Sequence, residues 1–74
     1  MARAIVQNPA IMLGKPTFEG TRVTVECVLE LLATGATVRE VAAGYPRLDE
    51  EDVQNAVRYA IERLPGAEAT PHAA

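Results

Sequence analysis

"TVREVAAGYPRLDEEDV", residues 37 to 53, carries two helix starts with a helix stop between them. Thr37 and Glu40 have the spacing of a capping box, in which the hydroxyl accepts from a backbone N–H of the first turn and the carboxylate reaches back. Val38, Val41 and Ala42 then form a short apolar stripe. Gly44 and Pro46 end it, because proline disfavours helical geometry at Tyr45 and has no N–H to donate. The next start is Asp49, a good N-cap, followed by Glu50, Glu51 and Asp52 where the positive end of the helix dipole favours acids. Leu48 and Val53 have the spacing of a hydrophobic staple across that cap. Val53, Ala56, Val57, Ala60, Ile61 and Leu64 follow at i, i+3, i+4, i+7, i+8 and i+11, an amphipathic helix that Pro65 stops.

Working outward, Cys27, Val28, Leu31 and Leu32 recur at helical spacing, with Glu26 and Glu30 on the other side. Gly35 suits the left-handed end of that helix, expected over residues 26 to 34. Ahead of it, "AIVQN" (4 to 8) and "TRVTV" (21 to 25) are β-branched and strand-like, separated by a loop containing Pro9, Gly14, Pro16 and Gly20. The expected fold is mainly α with a small β element, short N-terminal strands preceding a three-helix core. A two-turn helix joined closely to a longer one is the helix-turn-helix connectivity, although any small bundle uses short loops. The expected core is Val28, Leu31, Leu32, Val41, Val53, Val57, Ala60, Ile61 and Leu64. Residues 1–64 are expected to form one domain and 65–74 a flexible tail.

Seventy-four residues bound the answer to one domain with a marginal core. Apolar residues make up 49% of them, too many for a disordered chain and enough to leave surface for a partner. Cys27 is the single cysteine, so no intramolecular disulfide forms, and no Cys/His cluster has zinc-ligand spacing. The opening residues carry no charged leader and no long apolar run, which leads us to expect a cytoplasmic protein with no membrane segment. Charge is uneven. Residues 1–24 hold three bases against one acid, and residues 25–74 hold four bases against nine acids. An acidic chain is a poor generic binder of polyanions.

The order "NPAIMLGKPTFEGTRVTV" and then "ELLATGATVREVAAGYPRLDEEDVQNAV" resembles the bacterial and archaeal domain-of-unknown-function 433 family (DUF433). The residues that carry the likeness are Pro9, Gly14-Lys15-Pro16, Gly20-Thr21-Arg22, Gly35, Tyr45-Pro46, Leu48, Asp52-Val53 and Ala56, within residues 5 to 64. One position departs from the pattern. Where many members place Ser or Thr before the first helix, Glu26 stands here. The resemblance implies similarity to antitoxins of the VapB type, encoded beside a PIN-like nuclease toxin. It also implies a winged-helix or homeodomain-like helix-turn-helix fold, and dimers.

"GKP" is not a phosphate loop, since Pro9 and Pro16 stand where that motif needs a glycine and a Ser or Thr. At Gly20 a tight turn is expected. Arg22 either pairs there with Glu19 or a carbonyl, or joins Lys15 in a small basic patch for a phosphate or an acidic surface; the first is favoured because lone surface bases are ordinarily solvated. Phe18, the only phenylalanine, is expected to anchor the core or a dimer rather than to stack a base. On the last helix only Gln54, Asn55 and Arg58 are suited to reading a base, behind the four carboxylates of "DEED". Those acids read as a helix cap, not as a catalytic or Mg²⁺ cluster, because nothing nucleophilic accompanies them. Cys27 has no basic neighbour in sequence and reads as a small buried hydrophobe; His72 lies in the tail and signals nothing.

The expected function is therefore non-enzymatic, without cofactor or metal: an antitoxin-like homodimer that binds a PIN-like toxin. A helix-turn-helix DNA-binding transcriptional regulator of its own operon is the alternative. Lys15, Phe18, Arg22, Gln54, Asn55 and Arg58 are the candidate contacts for a partner or nucleic acid.

Overall fold

The computed structural model describes residues 2–66. It is mainly helical, with three helices and a short two-strand antiparallel sheet at the N-terminal end. Strand β1 is Ile5–Val6 and β2 is Thr17–Phe18, with Ile5 opposite Phe18 and Val6 opposite Thr17. Helices α1 (Val25–Ala33), α2 (Val38–Gly44) and α3 (Glu50–Glu62) follow. Among the described residues no helix is long and apolar enough to cross a membrane. The tail expected over 65–74, His72 included, lies outside the described residues from residue 67 onward.

The loop between the strands is built from local hydrogen bonds. Asn8 Oδ1 accepts from the N–H of Ala10 (2.9 Å), and a turn over Met12–Gly14 follows with φ of +50°, +58° and +82°. Met12 and Leu13 hold this left-handed geometry without glycine's freedom, at a cost on the order of 1–2 kcal/mol each.

The second strand is not where the β-branched run "TRVTV" places it. The paired residues are Thr17 and Phe18, and residues 21 to 25 contribute a single bridge, Thr24 to Thr17. A tight turn at Gly20 takes the chain back: Thr21 donates from its N–H (2.9 Å) and its hydroxyl (2.8 Å) to the carbonyl of Phe18. Phe18 N–H donates in return to Val23 O (3.1 Å). Thr24 and Val25 are claimed by the helix instead. Thr24 is its N-cap, accepting from Cys27 N–H at 3.0 Å, so α1 begins at Val25 rather than Glu26. The missing hydroxyl before Glu26 is thus supplied two residues earlier.

The other boundaries follow the caps. Gly35, at φ +104°, closes α1 with the paired bonds Gly35 N–H to Leu32 O and Ala36 N–H to Leu31 O, a Schellman motif. Thr37 and Glu40 form the capping box of α2 (3.0 and 2.8 Å). Asp49 and Asp52 form that of α3 (2.9 and 3.0 Å), with aspartate in the role usually taken by Glu or Gln.

The core comprises Phe18, Val25, Val28, Val41, Leu48, Val53 and Ala56. Leu48 and Val53, the staple, are both in it. Leu31 and Leu32 pack against it half-buried, while Val57 and Ala60 are also only half-buried. Val57 and Ala60 lie outside the core, and two further expected core residues are exposed: Ile61 is 49% exposed and Leu64 61%. The apolar face of α3 continues in phase, but α1 and α2 are shorter than α3 and leave its last turns uncovered.

Candidate functional site

Two surface features stand out, one apolar and one basic. The first is a groove of about 450 Å³ between α1 and α3, lined by apolar Val25, Leu29, Ala33, Tyr59 and Ala60 with Pro16 at one end. Glu26 and Glu30 stand on its α1 side. Glu26 is paired with Lys15 Nζ at 3.0 Å; the Glu30 carboxylate makes no hydrogen bond or ion pair among the described residues. On the other side Arg63 lies over the Tyr59 ring, its Cζ 3.5 Å from the centroid, and Ile61 and Leu64 extend the exposed apolar surface along α3.

The second feature surrounds the turn at Gly20. Arg3 donates from Nη1 to Glu19 O (2.9 Å) and from Nε to Arg47 O (3.0 Å), and Arg47 donates from Nη1 to Gly20 O (2.8 Å). Arg3 is itself anchored at its backbone N–H, which donates to Oδ1 of the buried Asp52, whose other oxygen holds the α3 cap. The N-terminal segment is thereby tied to the start of α3. Arg22 and Arg47 line a hollow of about 550 Å³ with Ile11, Gly20, Thr21 and Val23.

DUF433, a protein family of unknown function, matches residues 5–60, most of the 74-residue chain. The chain belongs to the DUF433 family. No curated protein and no solved structure matches it.

In this DUF433 domain the candidate contact residues are scattered rather than gathered. Lys15 is spent on Glu26, an exposed pair worth at most about 1 kcal/mol. Phe18 is fully buried, so it anchors the core and offers no surface. Arg22 is exposed and, among the described residues, pairs with neither Glu19 nor a carbonyl. Gln54 and Arg58 are exposed one turn apart on α3, their side chains without polar partners among the described residues, while Asn55 is half-buried with Nδ2 3.5 Å from Arg3 O. The residues missed from sequence are Arg3 and Arg47, which lie 44 positions apart and meet through backbone carbonyls that carry no sequence signature.

The acids ahead of Gln54 are largely occupied. Asp49 caps α3, and the backbone N–H of Asp52 holds its carboxyl below the ordinary 3.8. Asp52 is buried, and Glu50 faces Arg39 at 3.6 Å. Cys27 is half-buried with Sγ 3.0 Å from Tyr45 Oη; that hydrogen bond, then burial, pushes the phenol above its ordinary 10.0. Among the described residues no group of three His, Cys, Asp or Glu is placed to hold a metal ion.

Proposed function

We propose that this domain is a non-enzymatic protein-binding module of the antitoxin type, acting as a homodimer that neutralises a PIN-like nuclease toxin. The observation that carries the proposal is the uncovered apolar face of α3. Its first half (Val53, Ala56) is core, and its second half runs out into solvent beside the α1 groove, ending in Ile61 and Leu64. Fully burying a side chain of that size is worth about 1.5–3 kcal/mol, which a partner polypeptide would recover. Leu13, 93% exposed at the tip of a left-handed turn, adds a second apolar contact. The unpaired Glu30 on the groove's rim and the acidic balance of residues 25–74 suit a basic partner, as a nuclease surface would be.

The α2–α3 pair, joined by residues 45 to 49, supports a helix-turn-helix assignment. That arrangement, with the Gln54 and Arg58 side chains exposed on α3, favours DNA binding as the second reading. The decisive experiment is co-expression with a PIN-like nuclease encoded beside the gene. Co-purification and loss of nuclease activity are expected. An adjacent nuclease that stays active and unbound, together with operator binding by the isolated domain at physiological salt, would reverse the order of the two readings.

A further inference from the structure

Arg3, Arg22 and Arg47 come from three separate parts of the chain and meet at one four-residue turn. Two of the guanidinium groups are fixed there by neutral acceptors, the carbonyls of Glu19, Gly20 and Arg47. A carbonyl orients a guanidinium without cancelling its charge. Arg3, Arg22 and Arg47 make no ion pair among the described residues. Gly20 permits the close approach, since it sits at φ +81° and an added Cβ would lie 3.2 Å from Arg3 Nη1. Three like charges are thus brought together, two of them held in place and none in an ion pair among the described residues.

The geometry points to a binding site for a phosphate group in the hollow between Arg22 and Arg47, carried by a compact organic body that rests on Ile11 and Val23. A guanidinium fork matches phosphate geometry, and Arg47 keeps most of its five donors after bonding Gly20 O, while Arg22 keeps all of its own. A tetrahedral dianion accepts such donors from several directions at once, where a single carboxylate offers two oxygens and one charge. The hollow, about 550 Å³, has room for a mononucleotide-sized ligand. A compact ligand suits the surroundings better than a polymer, because the exposed acids Glu19, Asp49 and Glu50 neighbour the turn and the α3 start in sequence and the chain is net −3.

The inference is independent of the α1–α3 groove and stands or falls separately from the antitoxin proposal. Its test is a titration of the isolated, isotope-labelled chain, followed by NMR at fixed ionic strength. The probes are inorganic phosphate, a nucleoside monophosphate, a short DNA duplex and a glutamate-rich peptide. The backbone amides of Thr21, Arg22 and Val23 should shift with phosphate and with the mononucleotide, the latter binding more tightly and competing with the former. Arg22→Ala, which removes no hydrogen bond or ion pair among the described residues, should leave the melting temperature unchanged and weaken both roughly tenfold or more, as expected for a lost charged hydrogen bond. Stronger binding of the duplex on the same amides, with the same loss in Arg22→Ala, would keep the phosphate site but overturn the compact ligand, assigning the phosphate to a nucleic-acid backbone. No amide shift at about 10 mM phosphate or mononucleotide, an undiminished response in Arg22→Ala, or a response to the peptide alone would overturn it.

Discussion

Phe18 occupies the point where the β hairpin, the Gly20 turn and the helices converge, and its side chain is fully buried among valines of α1 and α3. With seven residues in the core among those described, there is little to close over a lost ring. Phe18→Ala should therefore cost about 3–5 kcal/mol, a large share of the 5–15 kcal/mol that stabilises an ordinary domain. Urea denaturation is expected to show a largely unfolded chain at low denaturant. A midpoint close to wild type would mean that the core lies elsewhere. The Cys27–Tyr45 contact makes a prediction of the opposite kind, visible mainly at high pH. Hydrogen bonding to Cys27 and burial raise the folded phenol above 10.0, so the neutral form is the one the fold favours. The contribution is complete below the unfolded value near 10.0 and is lost as pH rises through the raised folded value. In Cys27→Ala the Tyr45 ring resonances should titrate nearer 10.0, and the domain should lose less stability above that pH. An unchanged Tyr45 titration would show that the thiol contributes nothing.

At the scale of the helices, the caps decide the boundaries. Asp49 accepts from the N–H of Asp52 in the ionised state, which depresses its carboxyl below 3.8. The sign is that of an acid stabilised in its charged form: the contribution is present above the unfolded value and disappears as pH falls through the folded one. The start of α3 should loosen below pH 3.8, seen as faster amide exchange at Asp52 and Val53. Asp49→Asn, itself a good N-cap, should retain α3 and remove Asp49's share of that acid sensitivity. Equal acid loosening in both proteins would assign it to other carboxylates. The two capping boxes were legible because a cap is a local device, its partners three residues apart. The second strand was not. A β-branched run marks residues able to pair, but Thr24 and Val25 were worth more as cap and first turn of α1, leaving Thr17 and Phe18 to meet β1. The Arg3–Arg47 contact was equally out of reach, because its acceptors are main-chain atoms far apart in sequence.

For the whole molecule, the informative mismatch is the length of α3. Its period announced one continuous apolar face, yet how much of that face is covered depends on where α1 and α2 stop, which periodicity along α3 alone does not contain. α3 runs 13 residues against 9 and 7, and Ile61 and Leu64 fall on or just beyond the part left over. Were they part of the fold's own stability, replacing them would unfold it, as Val53→Ala should by removing fully buried methyl groups. Were they the contact surface of the proposed homodimer or toxin complex, the outcome separates. The double variant Ile61→Glu/Leu64→Glu should change the stability of the monomeric domain by no more than about 0.5 kcal/mol per site, as for other surface substitutions. Carboxylates placed in a desolvated contact would meanwhile weaken association by tenfold or more, since each would be buried without a partner. Light scattering of the free protein and co-purification with the nuclease measure the two states in the same preparation. A variant that melts early locates these residues in the core, and one that associates as tightly as wild type removes the α3 face from the proposed interface.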